Sequence, residues 1–181
     1  MTKPTVILVH GFRGTPQIPK WYTWLRKELT ALGCTVMAPQ FPNPEKPRVK
    51  DWNKTFEKKL GGDFEDVIFV CHSLGGLAAL HAIQSHDKEQ MAKSVIFVGV
   101  PSQDVGISAI KEFLPPLDWP KIRQRVHDFT FLYSHDDPYV PFPHGEELQD
   151  KLGGRMVAFQ EFGHFQHQKA FPEVLEIIRD L

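Results

Sequence analysis

Hydrophobic residues along the chain fall into short continuous runs, separated by stretches in which they recur every three or four positions. The runs cover residues 5–9, 35–38, 67–71, 95–98, 129–133 and 156–159, and they are rich in β-branched and aromatic side chains. Most lack the polar alternation of a half-exposed strand, which predicts strands of a parallel sheet buried on both faces. Between them, Trp21, Leu25, Leu29 and Leu32 fall on one face of a helix that ends at Gly33, where a left-handed cap is cheap. Val49, Trp52, Phe56 and Leu60 do the same before Gly61 and Gly62, and Leu77, Leu80 and Ile83 mark a helix after Ser73. Pro172 suits a first helical turn, followed by a stripe of Val174, Ile177, Ile178 and Leu181.

Alternation of strand and helix predicts a three-layer α/β/α sandwich with a parallel sheet of about six strands. The whole chain, residues 1–181, is long enough for one such domain and leaves no room for a separate cap domain. Residues 101–128 are the least regular. They contain a predicted helix over 107–114 and a stiff apolar stretch over 114–120. They read either as an ordinary connection or as a minimal wall over a substrate site.

Composition narrows the function classes. A formal net charge of −1 with scattered positive residues excludes the basic stripe that nucleic acid or an anionic membrane would require. No apolar run approaches a membrane span, and the N-terminus leads into its first strand with no room for a signal peptide. Cys34 and Cys71 sit in strand-like surroundings and read as two buried, reduced thiols, which suits a cytosolic protein. No set of Cys and His has metal-site spacing, and no glycine-rich phosphate loop precedes a helix, so neither a metal nor another cofactor is implied.

The residues that carry chemistry lie just past predicted strand ends. Ser73, in Cys71-His72-Ser73-Leu74-Gly75, stands in the strand–turn–helix context of a nucleophile elbow. A plain helix N-cap is the alternative role for a serine there. Small residues must flank such a turn; Gly75 meets that need, and Cys71 stands where glycine is common, a tighter fit. After the first strand, His10-Gly11-Phe12-Arg13-Gly14 can fold tightly enough to aim the Phe12 N–H at a carbonyl oxygen, with the Leu74 N–H as second oxyanion donor. His10 itself reads as a loop-stabilising residue. After the fifth strand, Asp136 and Asp137 are both candidates to orient a base; Asp137 fits an Asp-x-x-Val-Pro spacing, which leaves Asp136 as a turn former. His164, in Phe162-Gly163-His164-Phe165, is the candidate base among nine histidines. The chain order Ser73, Asp137, His164 is that of α/β-hydrolases.

These motifs resemble the α/β-hydrolase superfamily, and more closely the small lidless serine hydrolases that include retinoblastoma-binding protein 9 and bacterial relatives. The resemblance takes in the stretch Pro42-Asn43-Pro44-Glu45-Lys46-Pro47-Arg48 followed by Trp52, and Trp119 with Lys121-Ile122; its specific points are Pro42-Asn43-Pro44 and the short length. The resemblance implies a catalytic triad of Ser73, Asp137 and His164. It brings no retinoblastoma-pocket partner, because Leu32-Gly33-Cys34-Thr35-Val36 ends in valine where that motif has glutamate.

The expected sheet order is 2-1-3-4-5-6, with the switch point between the strands that end at His10 and Cys71, where sites of open α/β sheets lie. The expected activity is hydrolysis of small carboxylic esters through an acyl-enzyme, by a cytoplasmic monomer acting on a small-molecule or short-peptide acyl substrate. Amide or short-peptide hydrolysis and acyl transfer are the enzymatic alternatives, and a protein-binding module on a hydrolase fold is the alternative from another class. Phe41, Trp119, Tyr139 and Phe165 are candidate walls of an apolar substrate pocket.

Overall fold

A computed structural model describes residues 3–88, 90–114 and 116–181; Met1, Thr2, Glu89 and Pro115 lie outside the described residues, and with them part of the predicted N-terminal lead and of the 114–120 stretch. Six parallel strands form one sheet in the order β2-β1-β3-β4-β5-β6. They are β1 Thr5–Val9, β2 Thr35–Met37, β3 Ile68–His72, β4 Ala92–Val98, β5 Val126–Ser134 and β6 Arg155–Phe159. The expected topology is the observed one.

Successive strand residues point to opposite faces, and here each face has its own core. Ile7, Val9, Phe69, Cys71, Phe97 and Phe131 face one side, against α2 (Val49–Leu60), α3 (Leu74–Ser85), α4 (Trp119–Arg123) and α5 (Pro143–Leu152). Val6, Leu8, Ile68, Val70, Ile96 and Leu132 face the other, against α1 (Trp21–Ala31) and α6 (Pro172–Asp180). Burial on both sides is why these strands read as unbroken apolar runs. The edge strands β2 and β6 are only half-buried.

Some predicted positions move. Leu32 lies past the end of α1 and is exposed, because the chain turns there through Gly33 (φ +85°) into β2. Leu181 likewise falls beyond α6 and is exposed. The predicted helix over 107–114 is a 3-10 helix, Ser108–Phe113, that buries Ile110 and Phe113. Cys34 precedes β2 and is half-buried, whereas Cys71 is fully buried in β3. His127 lies within β5.

Helices α4 and α5 leave no clear periodic pattern in the sequence. In α4 the Asp118 carboxylate accepts from the Lys121 N–H at 3.0 Å, an N-cap that starts a five-residue helix whose first turn accommodates Pro120. In α5, Pro143 opens the helix and Leu148 and Leu152 form a one-turn apolar stripe too short to stand out in the sequence. No helix among the described residues is long and apolar enough to cross a membrane.

Candidate active site

The switch point of the sheet lies between β1 and β3, whose neighbours in sequence run to opposite edges. At the end of β3 the chain reverses into α3 within one residue. Ser73 is that residue, with φ 53° and ψ −128°, a backbone that side chains other than glycine rarely adopt. The turn is held because the Ser73 N–H donates to Val98 O at 2.9 Å and the Gly76 N–H donates to Ser73 O at 3.0 Å. Strain of this kind persists only where the surroundings over-determine it.

Two glycines make the approach to Ser73. A Cβ on Gly11 would stand 2.9 Å from Ser73 Cβ, so the loop after β1 can touch the serine only because that atom is missing. A Cβ on Gly75 would stand 2.3 Å from Val9 O, so α3 starts directly against β1. His10 holds the loop from below. Its Nδ1 donates to Gly11 O at 3.0 Å, and its Nε2 accepts from the Phe41 N–H at 3.0 Å. Among the described residues, the Phe12 and Leu74 N–H groups have no protein acceptor, and both residues line the cavity above Ser73.

Asp137 and His164 meet behind this cavity. Nδ1 of His164 donates to Asp137 Oδ2 at 2.7 Å, and both side chains are almost fully buried. The other carboxylate oxygen, Oδ1, accepts from the N–H groups of Tyr139 and Val140, each at 2.9 Å. Asp137 is thus oriented by its own turn before it orients the imidazole. Asp136 points elsewhere. Its Oδ1 accepts from Ser134 Oγ at 2.5 Å and from the Gly163 N–H at 2.8 Å, tying the end of β5 to the histidine loop. These two hydrogen bonds, the hydroxyl first, hold its exposed carboxyl below the usual range. Gly99, after β4, lies against the pair; a Cβ there would meet Asp137 Oδ2 and His164 Nδ1 at 3.2 Å each. Nothing in the sequence singled it out beyond a glycine at a strand end.

Ser73 and His164 line one cavity of about 500 Å³, although no hydrogen bond joins Ser73 Oγ to His164 Nε2 among the described residues. Such contacts are often long before substrate binds. Val105, Ile107 and Ile110 also line it, so the irregular segment after β4 supplies a wall rather than a mere connection. Of the four aromatic residues expected to wall a pocket, only Tyr139 does so; its ring lies 5.3 Å from that of His164. Phe41 is buried in the core between His10, Trp52 and Phe56. Trp119 packs beside α5, with the Lys151 ammonium 5.3 Å over its ring. Phe165 has φ 53°, which turns its ring away from the cavity into the α1–α6 core, where it stacks on Phe171. Phe12, Arg13, Ile18 and Gln166 complete the mouth, and of these only Phe12 was marked by its motif. No group of three or more His, Cys, Asp or Glu side chains among the described residues is arranged to hold a metal.

His72 is the buried partner of the histidine loop. Its Nε2 donates to His164 O at 2.8 Å, and its ring lies 4.7 Å from that of His164. Burial, reinforced by the neighbouring His164, pushes its pKa down to about 3. Burial also lowers His10, His81 and His144. Each of these groups takes a proton more readily in the unfolded chain. Their contribution to stability is therefore complete above about pH 6.5 and is lost as pH falls toward the folded values. Urea unfolding between pH 7 and pH 4.5 is expected to show stability declining with acid. His72→Gln, which still offers a donor to His164 O, is expected to flatten that decline by up to about 1.4 kcal/mol per pH unit. An unchanged slope refutes the assignment.

The fold, the strained serine at a strand–helix turn and the buried Asp–His pair after β5 and β6 define an α/β-hydrolase. A family model described as serine hydrolase matches residues 6–181. The chain belongs to the serine hydrolase family, and hydrolysis is its class of chemistry. Serine hydrolase RBBP9 of Rattus norvegicus is 29% identical over 187 residues, covering 100% of this chain and 97% of that protein. Putative hydrolase YdeN of Bacillus subtilis (strain 168) is 28% identical over 183 residues, covering 100% of this chain and 95% of the relative. The crystal structure of the B. subtilis ydeN gene product superposes with a TM-score of 0.92 at 26% identity, covering 98% of each chain.

Proposed function

We propose that this protein hydrolyses carboxylic esters of small molecules through an acyl-enzyme. Ser73 is the nucleophile, His164 the general base and Asp137 the group that orients it. The observation that carries this is the buried Nδ1···Oδ2 bond of 2.7 Å, which leaves Nε2 of His164 as the free nitrogen on the cavity that Ser73 also lines. With Nδ1–H committed to Asp137, Nε2 is an unprotonated acceptor, the tautomer a general base needs.

Ser73 Oγ attacks the ester carbonyl carbon while its proton passes to Nε2. The resulting oxyanion accepts from the Phe12 and Leu74 N–H groups, which have no competing acceptor within the protein. Collapse of this intermediate breaks the C–O bond, and the leaving alkoxide takes the proton from Nε2. Water then attacks the acyl-enzyme, giving its proton to Nε2 and afterwards restoring the Ser73 hydroxyl, and the carboxylic acid departs. The unpaired thiols of Cys34 and Cys71 agree with a protein working in a reducing compartment.

A fluorophosphonate probe followed by peptide mass mapping is the direct test. One adduct on the Ser73 peptide, absent from Ser73→Ala, is expected. Equal labelling of both proteins overturns Ser73 as the nucleophile, and no labelling together with no turnover across an ester and peptide panel favours the binding role.

A further inference from the structure

The charge of the cavity is not used by ester cleavage itself. Among the described residues that line it, Arg13 is the only one with a permanent charge, and no carboxylate joins it. Asp137, close by, has a side chain only 1% exposed and spends its oxygens on His164, Tyr139 and Val140.

The Arg13 side chain is free to act. It is exposed and makes no ion pair among the described residues, unlike Arg48, Lys111 and Lys151. Its origin is nevertheless fixed: Arg13 has φ 56°, and its N–H donates to Pro44 O at 2.9 Å. The guanidinium carbon lies 5.1 Å over the ring of Phe12, whose own N–H is the proposed oxyanion donor. Beside it the mouth is partly apolar, with Gln166 as its neutral polar member. Of four large hydrophobic side chains exposed on the described surface, Ile18 and Tyr139 both line this cavity. Scattered exposed apolar residues are ordinary, but two of them flanking one cation at one cavity make a built rim.

We infer that the site takes acyl esters carrying an anionic group on an apolar body, and that Arg13 is the residue that selects them. This rests on the hydrolase activity proposed above. A guanidinium over an aromatic face is weakly hydrated and offers a planar fork to a carboxylate or phosphate, while Ile18 and Tyr139 cover the apolar part. The contact lies near solvent, so it weakens as salt rises.

The test compares kcat/KM for 4-nitrophenyl hemiadipate and 4-nitrophenyl hexanoate, an anionic and a neutral ester of similar length. The wild type is expected to prefer the anionic ester about tenfold at low salt, the scale of one charge-assisted contact at a partly exposed site. The preference shrinks at 1 M salt, falls to about one in Arg13→Gln, survives in Arg13→Lys and reverses in Arg13→Glu. Equal constants in the wild type, or a ratio unmoved by Arg13→Gln, overturn the inference. A second arm needs no turnover. Ser73→Ala is titrated calorimetrically with monoethyl glutarate and diethyl glutarate, and the monoester is expected to bind about tenfold more tightly unless Arg13→Gln is added. A binding preference without any ester turnover overturns the hydrolase activity alone. Absence of that preference, including failure of both esters to bind, overturns the inference alone.

Discussion

Ser73→Ala is expected to lower kcat for an activated ester by about 10⁶-fold, and Asp137→Asn by about 10⁴-fold, with KM little changed. The two losses have different origins. Alanine removes the atom proposed to attack. Asparagine preserves shape, but its amide replaces the acceptor facing His164 Nδ1 at 2.7 Å with a group that can also donate. A donor there drives the imidazole proton to Nε2, and the base is lost without any change of packing. Asp136→Asn provides the contrast. Its oxygen accepts from Ser134 and Gly163 and never touches His164, so the expected loss is less than about tenfold, the size of one weakened surface hydrogen bond. Stopped-flow or steady-state kinetics on the three variants decide the matter. Asp136→Asn falling as far as Asp137→Asn would sink the assignment of Asp137.

Gly75→Ala is expected to destabilise the protein by about 3 kcal/mol and to lower kcat/KM by about 10²-fold. The added methyl would sit 2.3 Å from Val9 O and 2.8 Å from His10 O. Both are backbone oxygens at the end of a central strand, and neither can swing aside as a side chain would. The first turn of α3 must lift away from β1, carrying the Leu74 N–H with it and loosening the contact between Gly11 and Ser73. Chemical denaturation reads the stability loss, and ester turnover of the remaining folded protein reads the misplaced donor. A variant with an unchanged midpoint would show that α3 is not held this tightly.

Legibility differed sharply between the centre and the rim of the site. Ser73, Asp137 and His164 each follow a strand, and strands are the strongest pattern in the chain. Glycine spacing also pointed to the loop of Phe12, because close backbone approach can be achieved only without a Cβ. Aromatic residues carried no such information. Phe41, Trp119 and Phe165 have the composition of a pocket wall but are spent on cores or on helix packing, and hydrophobicity is identical in the two roles. Phe165 stands next to His164 in sequence, and one positive φ is enough to send its ring to the opposite side of the sheet.

Sequence by itself determined the parallel sheet, the position of the elbow and the set of polar residues at the strand ends, since these follow from local periodicity and from turn chemistry, whereas the strand order came with the resemblance to α/β-hydrolases. The tertiary structure alone decided that Gly99 lies beneath the Asp137–His164 pair and that Arg13, Ile18 and Tyr139 stand at the mouth. Asp136 and Asp137 are adjacent and chemically identical; the Asp-x-x-Val-Pro spacing favoured Asp137, and the turn that bonds its Oδ1 to two N–H groups supplies the physical reason. The mouth is assembled from loops that are distant in sequence, and the direction of an exposed side chain leaves no periodic trace for a single chain to display.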